Sequence, residues 1–324
     1  MSEQRPLVLA GVGADFPDLA AERTVLAPIG AEVLDARNLQ VGEVLKLART
    51  ADAVLTDYFV WSDDAIAGLE RCRVICQYGV GVDRIDVDAA ARAGIAVTNT
   101  PDYCVDEMAD HALALFLAVT RKVALYDRAV RSGRWDYNLG SEMRRIRTLT
   151  LGLVGAGRIG SAFALRGRAL GMRILAADPN RSHAELRGEA IEPVELEDLL
   201  RVADVVSLHI PLTPSTSKLL GRERIAAMKP GAIVINTARG GLIDQLALEE
   251  ALRSGALGGA GLDVLAVEPP RPNDSLLELD NVVITPHAGF LSRESLADVQ
   301  AQAAHEAFRA LSGEPMLHVV GAHS

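Results

Sequence analysis

Cysteine is scarce in this 324-residue chain, which contains only three: Cys72, Cys76 and Cys104. An odd number this small cannot build a disulfide scaffold, and Cys72 and Cys76 lack a second Cys or His pair at the spacing of a zinc site. We therefore expect reduced thiols, no bound metal and a cytoplasmic location.

An excess of positive charge and long uncharged apolar runs are also lacking. The formal net charge is −10, and the only dense basic patch is Arg144–Arg147, which a solvated loop before a strand explains. No uncharged apolar run reaches the length of a membrane span, and the first residues lead into a strand without a secretory signal. We therefore expect neither a nucleic-acid nor a membrane partner.

The most informative segment present is a glycine-rich turn. An apolar run, Thr150–Val154, leads directly into Gly155-Ala-Gly-Arg-Ile-Gly160, and a helical pattern follows. Gly155 permits a tight turn, Gly157 lets the backbone approach a pyrophosphate, and Gly160 lets the helix pack close to the strand. Asp178 ends the next apolar run, 21 residues beyond Gly157, where a carboxylate can accept hydrogen bonds from a ribose diol. This unit predicts a dinucleotide-binding site.

Two further glycine pairs also follow apolar runs. In Gly11-Val-Gly13 and Gly79-Val-Gly81 the third glycine of the motif is missing. From the residues alone we interpret both pairs as turns at strand ends.

Short apolar runs alternate with helical patterns along almost the whole chain, which predicts parallel sheets covered by helices. Two rounds of alternation predict an α/β protein with two doubly wound parallel-sheet domains, one Rossmann and one flavodoxin-like, and an active-site cleft between them. The predicted strands are Leu7–Ala10, Val33–Asp35, Ala53–Thr56, Val74–Gln77 and Ala96–Asn99, then Thr150–Val154, Arg173–Ala176, Val205–His209, Ala232–Asn236, Gly259–Asp263 and Val282–Thr285.

The chain is expected to pass between the domains twice. One more helix, Ser295–Leu311, follows the last predicted strand, so the substrate domain is predicted from residues 1–99 with 290–324 and the dinucleotide domain from residues 100–289. Between the two rounds, Cys104–Ser132 reads as one long helix with apolar residues around much of its circumference. Such a helix must be buried, either between domains or against a second subunit.

Polar residues follow three successive strands of the second round. Arg239 comes after Ala232–Asn236, where a guanidinium can hold a carboxylate in a two-pronged hydrogen bond. Asp263 ends the next strand and is followed by Glu268. His287 follows the last strand, and histidine is the natural proton donor and acceptor near neutral pH. Together with the dinucleotide motif, these residues predict an active site.

With these motifs the sequence resembles the D-2-hydroxyacid dehydrogenase family over essentially its whole length. The stretches Pro101–Ala112 and Arg145–Arg147 look closest to the branch that contains the C-terminal-binding-protein corepressors and related bacterial enzymes. The resemblance implies an NAD-dependent oxidoreductase that interconverts a 2-keto acid and a D-2-hydroxy acid. The segments that carry it are Gly155–Gly160, Leu208–Thr213, Asn236–Gly240, Glu268–Pro269 and Thr285–His287.

The resemblance also implies catalytic roles. Arg239 would hold the substrate carboxylate and polarise the keto oxygen, and His287 would give that oxygen a proton as hydride arrives from the nicotinamide. Glu268 would pair with His287, orient it and favour its charged form. The second glycine pair gains a function, because backbone N–H groups of Tyr78, Gly79, Val80 and Gly81 would meet the substrate carboxylate.

Cofactor contacts are implied as well. Asp178 would repel the 2′-phosphate of NADP and so favour NAD, although Arg181 lies near enough to complicate this choice. Asp263 would hold the nicotinamide carboxamide, and Pro211 would line the adenine side. The remaining implied contacts are Gly155, Gly157, Arg158, Ile159 and Gly160 at the pyrophosphate, together with His209, Thr216, Thr237, Ala238 and His287.

Several points stay open at this stage. The substrate side chain is not defined, because the segment Asp263–Glu268 departs from the usual family pattern; a substrate such as phosphite is a second possibility. An NAD(H)-sensing, corepressor-like binding protein with weak dehydrogenase activity is a third.

We expect no regulatory domain after Ser324, which argues against a long, allosteric phosphoglycerate dehydrogenase. Relatives pair through the Cys104–Ser132 segment, so we expect a homodimer in which Trp135 could reach a partner's site.

Overall fold

The structure is a computed structural model that describes residues 5–321. It divides into two compact units. The first combines the chain up to Cys104 with the segment from Leu291 onward, and the second is Val105–Phe290. These limits lie within a few residues of the domain boundaries that the alternation of apolar runs predicts.

All the strands belong to two parallel sheets. The strands are β1 Leu7–Val12, β2 Glu32–Asp35, β3 Ala53–Thr56, β4 Val74–Gln77, β5 Ala96–Thr98, β6 Thr150–Val154, β7 Arg173–Ala177, β8 Glu192–Pro193, β9 Val205–Leu208, β10 Ala232–Asn236, β11 Leu257–Leu262 and β12 Val282–Ile284. The helices are α1 Ala20–Leu26, α2 Val41–Ala48, α3 Asp63–Ala67, α4 Val87–Arg92, α5 Val105–Thr120, α6 Val123–Arg131, α7 Arg158–Ala169, α8 His183–Gly188, α9 Leu196–Val202, α10 Arg222–Ala227, α11 Gln245–Arg253 and α12 Arg293–Ser312.

The first unit contains a five-stranded sheet in the order β2-β1-β3-β4-β5, which is the flavodoxin-like order. Neighbouring residues of β1 face opposite sides: Val8 packs with Val299 of α12, while Leu9 packs with Val44 of α2. Both faces are therefore covered, which explains why these strands read as unbroken apolar runs.

The second unit contains a seven-stranded sheet in the order β12-β11-β10-β9-β6-β7-β8. Counted from β6, this is the Rossmann order extended by one strand, and every adjacent pair is parallel. The order places the carboxyl ends of β6, β9, β10, β11 and β12 along one edge. The predicted fold class, two doubly wound parallel-sheet folds, is confirmed.

The segment predicted as one long buried helix is two helices. The chain breaks after Thr120, and Lys122 takes a positive φ of 53° before α6 begins. The helix α5 buries one stripe rather than its whole circumference, and α6 has no buried residue. The one-helix prediction was wrong because the continuous apolar run lies in α5, whereas the apolar residues of α6 alternate with charged ones. The buried stripe of α5 is Ala109, Ala112, Leu115, Phe116, Val119 and Thr120.

One strand was missed, the edge strand β8, which has two residues and therefore no apolar run to announce it. Across residues 5–321, no helix is both long enough and apolar enough to cross a membrane.

Candidate active site

The glycine-rich turn lies between β6 and α7, in the Rossmann unit. Gly155 has a φ of 90°, and a Cβ there would lie 2.6 Å from the carbonyl oxygen of His209. A Cβ on Gly160 would lie 2.4 Å from the carbonyl oxygen of Gly155, so helix and strand pack too closely for any side chain. At Gly157, which begins α7, a Cβ would meet nothing within 4 Å. The turn thus leaves open space at the positive end of a twelve-residue helix, as a pyrophosphate requires.

Asp178 and Arg181 both bind the backbone of this turn. Asp178 follows β7 and accepts hydrogen bonds from the N–H groups of Ala156 (2.8 Å) and Asn180 (2.9 Å). Arg181 donates to the carbonyl oxygen of Ala156 at 2.8 Å and forms an ion pair with Glu189 at 2.6 Å. That ion pair holds the pKa of Glu189 below its ordinary value. Arg181 is therefore already engaged by a carboxylate beside the turn.

Other predicted cofactor contacts lie in the loops that follow β9 and β10. His209 follows β9, and burial lowers its pKa to about 4. The Thr216 hydroxyl donates to the carbonyl oxygen of Pro211 at 2.7 Å and accepts from the N–H of Thr213 at 2.8 Å, which closes the 211–216 loop. Thr237 is 2% exposed, and its hydroxyl has no hydrogen-bond partner within residues 5–321. The open glycine turn and this unpartnered hydroxyl fit a bound dinucleotide.

A buried asparagine shapes the turn that carries Arg239. Asn236 ends β10 and is fully buried; its amide accepts from the N–H of Ala238 at 3.0 Å and donates to the carbonyl oxygen of Arg239 at 2.9 Å. A Cβ on Gly240 would lie 2.0 Å from the backbone of Leu265, so only glycine lets this turn approach the segment after β11. The close approach brings the charge of Arg239 near Glu268, whose pKa it helps to lower.

Glu268 and His287 form the second half of the cluster. His287 Nδ1 lies 2.8 Å from Glu268 Oε2, and Glu268 Oε1 accepts from the N–H of Leu265 at 2.9 Å. Both side chains are about three-quarters buried, with 25% and 29% of their surface exposed. Burial alone would raise the pKa of Glu268, but the hydrogen bonds from His287 and the Leu265 N–H, together with the charges of His287 and Arg239, outweigh it and the net shift is downward. Glu268 is therefore an ionised partner that orients the imidazole.

Asp263 holds the turn on which His287 lies. Its carboxylate has no exposed surface and accepts from the Thr285 hydroxyl (2.6 Å) and the N–H groups of Ala288 (2.9 Å) and Gly289 (2.8 Å). Burial opposes ionisation, yet these bonds and nearby His111 lower the pKa of Asp263 to about 2. The Asp263 carboxylate therefore anchors the turn that carries His287. Its contact with the nicotinamide carboxamide stays a prediction.

The Tyr78–Gly81 loop belongs to the other unit and follows β4. The Tyr78 ring is 3% exposed and its hydroxyl donates to buried Glu22 at 2.8 Å, so the side chain faces the core. The carbonyl oxygens of Gly79 and Val80 accept from Thr100 N–H (3.0 Å) and the Asn99 amide (2.8 Å). In a planar peptide the N–H points opposite to the carbonyl, so the N–H groups of Val80 and Gly81 point away from these anchors. The loop can offer backbone donors, not the tyrosine side chain.

Sequence reasoning missed two residues that support these turns, His111 and Glu22. His111 stands in an apolar helix pattern with no evident chemical partner nearby in the sequence, and Glu22 belongs to no motif. Their partners lie far away in sequence: His111 contacts Thr285, and Glu22 contacts Gln300. For Glu22 the one available signal was its place on the side of α1 that carries the apolar residues and is buried.

Comparisons with known proteins identify the family of the chain. The sequence model described as "D-isomer specific 2-hydroxyacid dehydrogenase, NAD binding domain" matches residues 113–289, more than half of the chain. The chain belongs to this family. It is an NAD-dependent oxidoreductase of the D-2-hydroxyacid dehydrogenase type, and the prediction made from its motifs is confirmed.

Individual relatives place the chain among enzymes. It is 46% identical to a glyoxylate reductase of Korarchaeum cryptofilum over 228 residues, which cover 69% of each chain. It is 39% identical to a D-3-phosphoglycerate dehydrogenase of Archaeoglobus fulgidus over 79% of this chain, but spans only 49% of that relative. The structure of an Aquifex aeolicus D-lactate dehydrogenase with NAD and lactic acid superposes with a TM-score of 0.83 at 29% identity, covering 95% of this chain and 96% of the other. The more specific resemblance to the corepressor branch stays a prediction.

Proposed function

We propose that this chain reduces a small 2-keto acid to the corresponding D-2-hydroxy acid with NADH, using Arg239, Glu268 and His287. The observation that carries the proposal is the 2.8 Å contact between Glu268 and His287, which follow β11 and β12, while Arg239 follows β10, the neighbour of β11. The relative with 46% identity is named a glyoxylate reductase, which makes glyoxylate the first substrate to test.

In this mechanism each catalytic residue of the Rossmann unit has its own role. The glycine turn would hold the pyrophosphate of the dinucleotide, and the reduced nicotinamide would supply the hydride. Arg239 binds the substrate carboxylate and polarises the keto oxygen, which lowers the barrier to hydride addition. Because Glu268 engages Nδ1 of His287, the proton that reaches the new alkoxide comes from Nε2. The ionised Glu268 stabilises the imidazolium before that transfer. The N–H groups of Val80 and Gly81 are proposed as further carboxylate donors.

Cofactor preference follows from Asp178. Its carboxylate lies on the turn backbone at Ala156, where a ribose diol would donate to it and a 2′-phosphate would be repelled. Arg181 is paired with Glu189, which reduces its value as a phosphate ligand. We propose NADH as the preferred reductant; equal catalytic efficiency with NADPH would contradict this role of Asp178.

The test of the proposed function is NADH oxidation with a panel of glyoxylate, pyruvate, hydroxypyruvate and longer keto acids. We expect turnover with at least one small member and a product of D configuration wherever the product is chiral. Arg239→Ala should lower kcat/KM by about 10²- to 10³-fold, because it removes a charged hydrogen-bond donor that is stronger in the transition state. Tight NADH binding without turnover on the whole panel would favour a cofactor-sensing protein instead.

We also propose that two copies of the chain pair in the reduced environment of the cytoplasm. Support comes from the segment around α6, where Trp135 is 90% exposed and Tyr137 is 83% exposed, with Val123 and Val130 also exposed. Clustered large apolar side chains of this kind mark association surfaces. Sedimentation velocity should show a dimer, and a monomer at micromolar concentration would contradict the pairing.

A further inference from the structure

A histidine in the middle of α5, His111, contacts the turn that carries His287, and 22% of its side chain is exposed. His111 Nε2 lies 2.8 Å from the Thr285 hydroxyl oxygen and 3.3 Å from Asp263 Oδ1. Thr285 in turn lies 2.6 Å from the same Asp263 oxygen. A Cβ on Gly289 would lie 2.9 Å from Asp263 and 3.3 Å from the His111 ring. These side chains therefore pack directly against the turn that carries His287.

The direction of each hydrogen bond between His111, Thr285 and Asp263 follows from the charge of Asp263. Asp263 is ionised at neutral pH, since its pKa is lowered to about 2, and an ionised carboxylate only accepts hydrogen bonds. The Thr285 hydroxyl must then donate to Asp263, which leaves its oxygen as the acceptor facing His111. His111 must carry its proton on Nε2, because an unprotonated Nε2 would face two acceptor oxygens. The order is His111 to Thr285 to Asp263.

The turn needs this support because its backbone is strained. His287 has a φ of 55°, a left-handed conformation that residues other than glycine seldom adopt and that the surroundings must maintain. Four hydrogen bonds to Asp263 maintain it: those of Thr285, Ala288 and Gly289 to the carboxylate, and the 2.8 Å bond from His287 N–H to the Asp263 carbonyl oxygen. If the Thr285 hydroxyl rotated, Asp263 would lose one donor and the carboxylate could turn.

We propose that His111 is a positioning residue for catalysis: by donating to Thr285, it fixes the Thr285–Asp263 bond and thereby the placement of the His287 imidazole. This inference rests on the proposed function of His287 and adds to it a residue of α5 that acts through Thr285 and Asp263.

The test compares His111→Leu, which cannot donate, with His111→Gln, whose amide can. In the cofactor-free protein, N–H groups bonded to a carboxylate give amide proton resonances far downfield, so Ala288 and Gly289 report the state of the turn. We expect both resonances to move upfield in His111→Leu and to stay near their wild-type positions in His111→Gln. Leu115→Ala, one turn further along α5 and more deeply buried than His111, controls for a general loss of packing and should leave both resonances unchanged.

Kinetics provide the second measurement. Misplacement of an acid–base group commonly costs on the order of ten- to a hundred-fold in rate, so kcat in His111→Leu should fall about ten-fold while the KM for keto acid changes little. His111→Gln should recover most of that loss, and adding Thr285→Val to His111→Leu should cost little more. Equal losses in the Leu and Gln variants, or wild-type amide positions in His111→Leu, would overturn the proposal. Absence of turnover in the wild-type protein would instead refute the proposed function, and the amide resonances would still decide the role of His111.

Discussion

Each unit of the molecule uses a buried carboxylate to hold a loop at the carboxyl end of a strand, but the two carboxylates work differently. Asp263 accepts two backbone N–H groups of the turn itself, along with the hydroxyl of Thr285. Within residues 5–321, Glu22 accepts hydrogen bonds only from side chains, the Tyr78 hydroxyl at 2.8 Å and the Gln300 amide at 3.1 Å. Asp263 therefore fixes the backbone of the turn directly, whereas Glu22 fixes the Tyr78 side chain at the start of the Tyr78–Gly81 loop.

The difference corresponds to what each loop is proposed to do. The turn after β12 must hold one imidazole at a defined position, and small displacements of an acid–base group are costly to the rate. The Tyr78–Gly81 loop is proposed to offer several backbone donors to a carboxylate, and such donors tolerate more movement. We expect damage to the first anchor to appear in kcat and stability, and damage to the second mainly in KM.

The largest effect is expected from Asp263→Asn. Because the native pKa of about 2 lies below the ordinary 3.8, ionised Asp263 contributes stability that is complete above about pH 5 and is lost as pH falls toward 2. The shift corresponds to roughly 2 kcal/mol. The variant should lose about this much unfolding free energy at pH 7 and about 10²-fold in kcat, measured by urea unfolding and steady-state kinetics. A variant as stable as wild type at pH 7 would contradict the anchoring role.

Glu268→Gln should reduce the rate without a comparable loss of stability, since Glu268 is partly exposed. The amide keeps a hydrogen bond to His287 but removes the negative charge that stabilises the imidazolium. Reduction should slow by about ten-fold at neutral pH, because the imidazolium loses its charged partner. Steady-state kinetics of keto-acid reduction measures the rate, and urea unfolding measures the stability. A kcat equal to that of wild type would mean that the charge of Glu268 does not contribute to proton transfer by His287.

Glu22→Gln tests the other anchor. One of the two hydrogen bonds of Glu22 must weaken, at a cost of about 1–2 kcal/mol in unfolding free energy. We expect the KM for keto acid to rise about three- to ten-fold with kcat nearly constant, the pattern for loss of an interaction equal in ground and transition states. Tyr78→Phe is the matched control, because it removes the hydroxyl from the same contact and keeps the ring. A fall in kcat as large as that of Asp263→Asn would remove the distinction between the two anchors.

The smallest effect is expected from Thr237→Val, in the turn before Arg239. The Thr237 hydroxyl is buried without a partner in the described part of the chain, so a methyl group should raise stability by up to about 1 kcal/mol. If the hydroxyl binds the cofactor, as the family resemblance implies, NADH affinity should fall at the same time. Thermal unfolding and NADH fluorescence titration separate the two effects. Unchanged NADH affinity would show that Thr237 makes no cofactor hydrogen bond.

Sequence reasoning worked best where the signal was local. The run Thr150–Val154 and the glycine turn after it are contiguous, and the structure places strand, turn and helix there as the pattern predicts. It failed where the deciding interaction was distant or the element was short. The break between α5 and α6 depends on one residue, Lys122, with a positive φ, and β8 has only two residues.

The residues that support the site show the same limit. A histidine in an apolar helix reads as packing until the fold brings Thr285, 174 positions away, within 2.8 Å of it. Glu22 lies 278 positions from Gln300. Neither pairing has a spacing or a motif that a single sequence could reveal.

The amino-acid sequence by itself determined the alternation of strands and helices, the dinucleotide turn and the residue types of the catalytic cluster, because each depends on near neighbours in the chain. Only the tertiary structure decided which buried carboxylate supports which loop, and that Arg239 lies close enough to Glu268 to influence its charge. Those contacts arise because parallel strands bring their carboxyl ends to one edge, and distant segments meet there only after the sheet has formed.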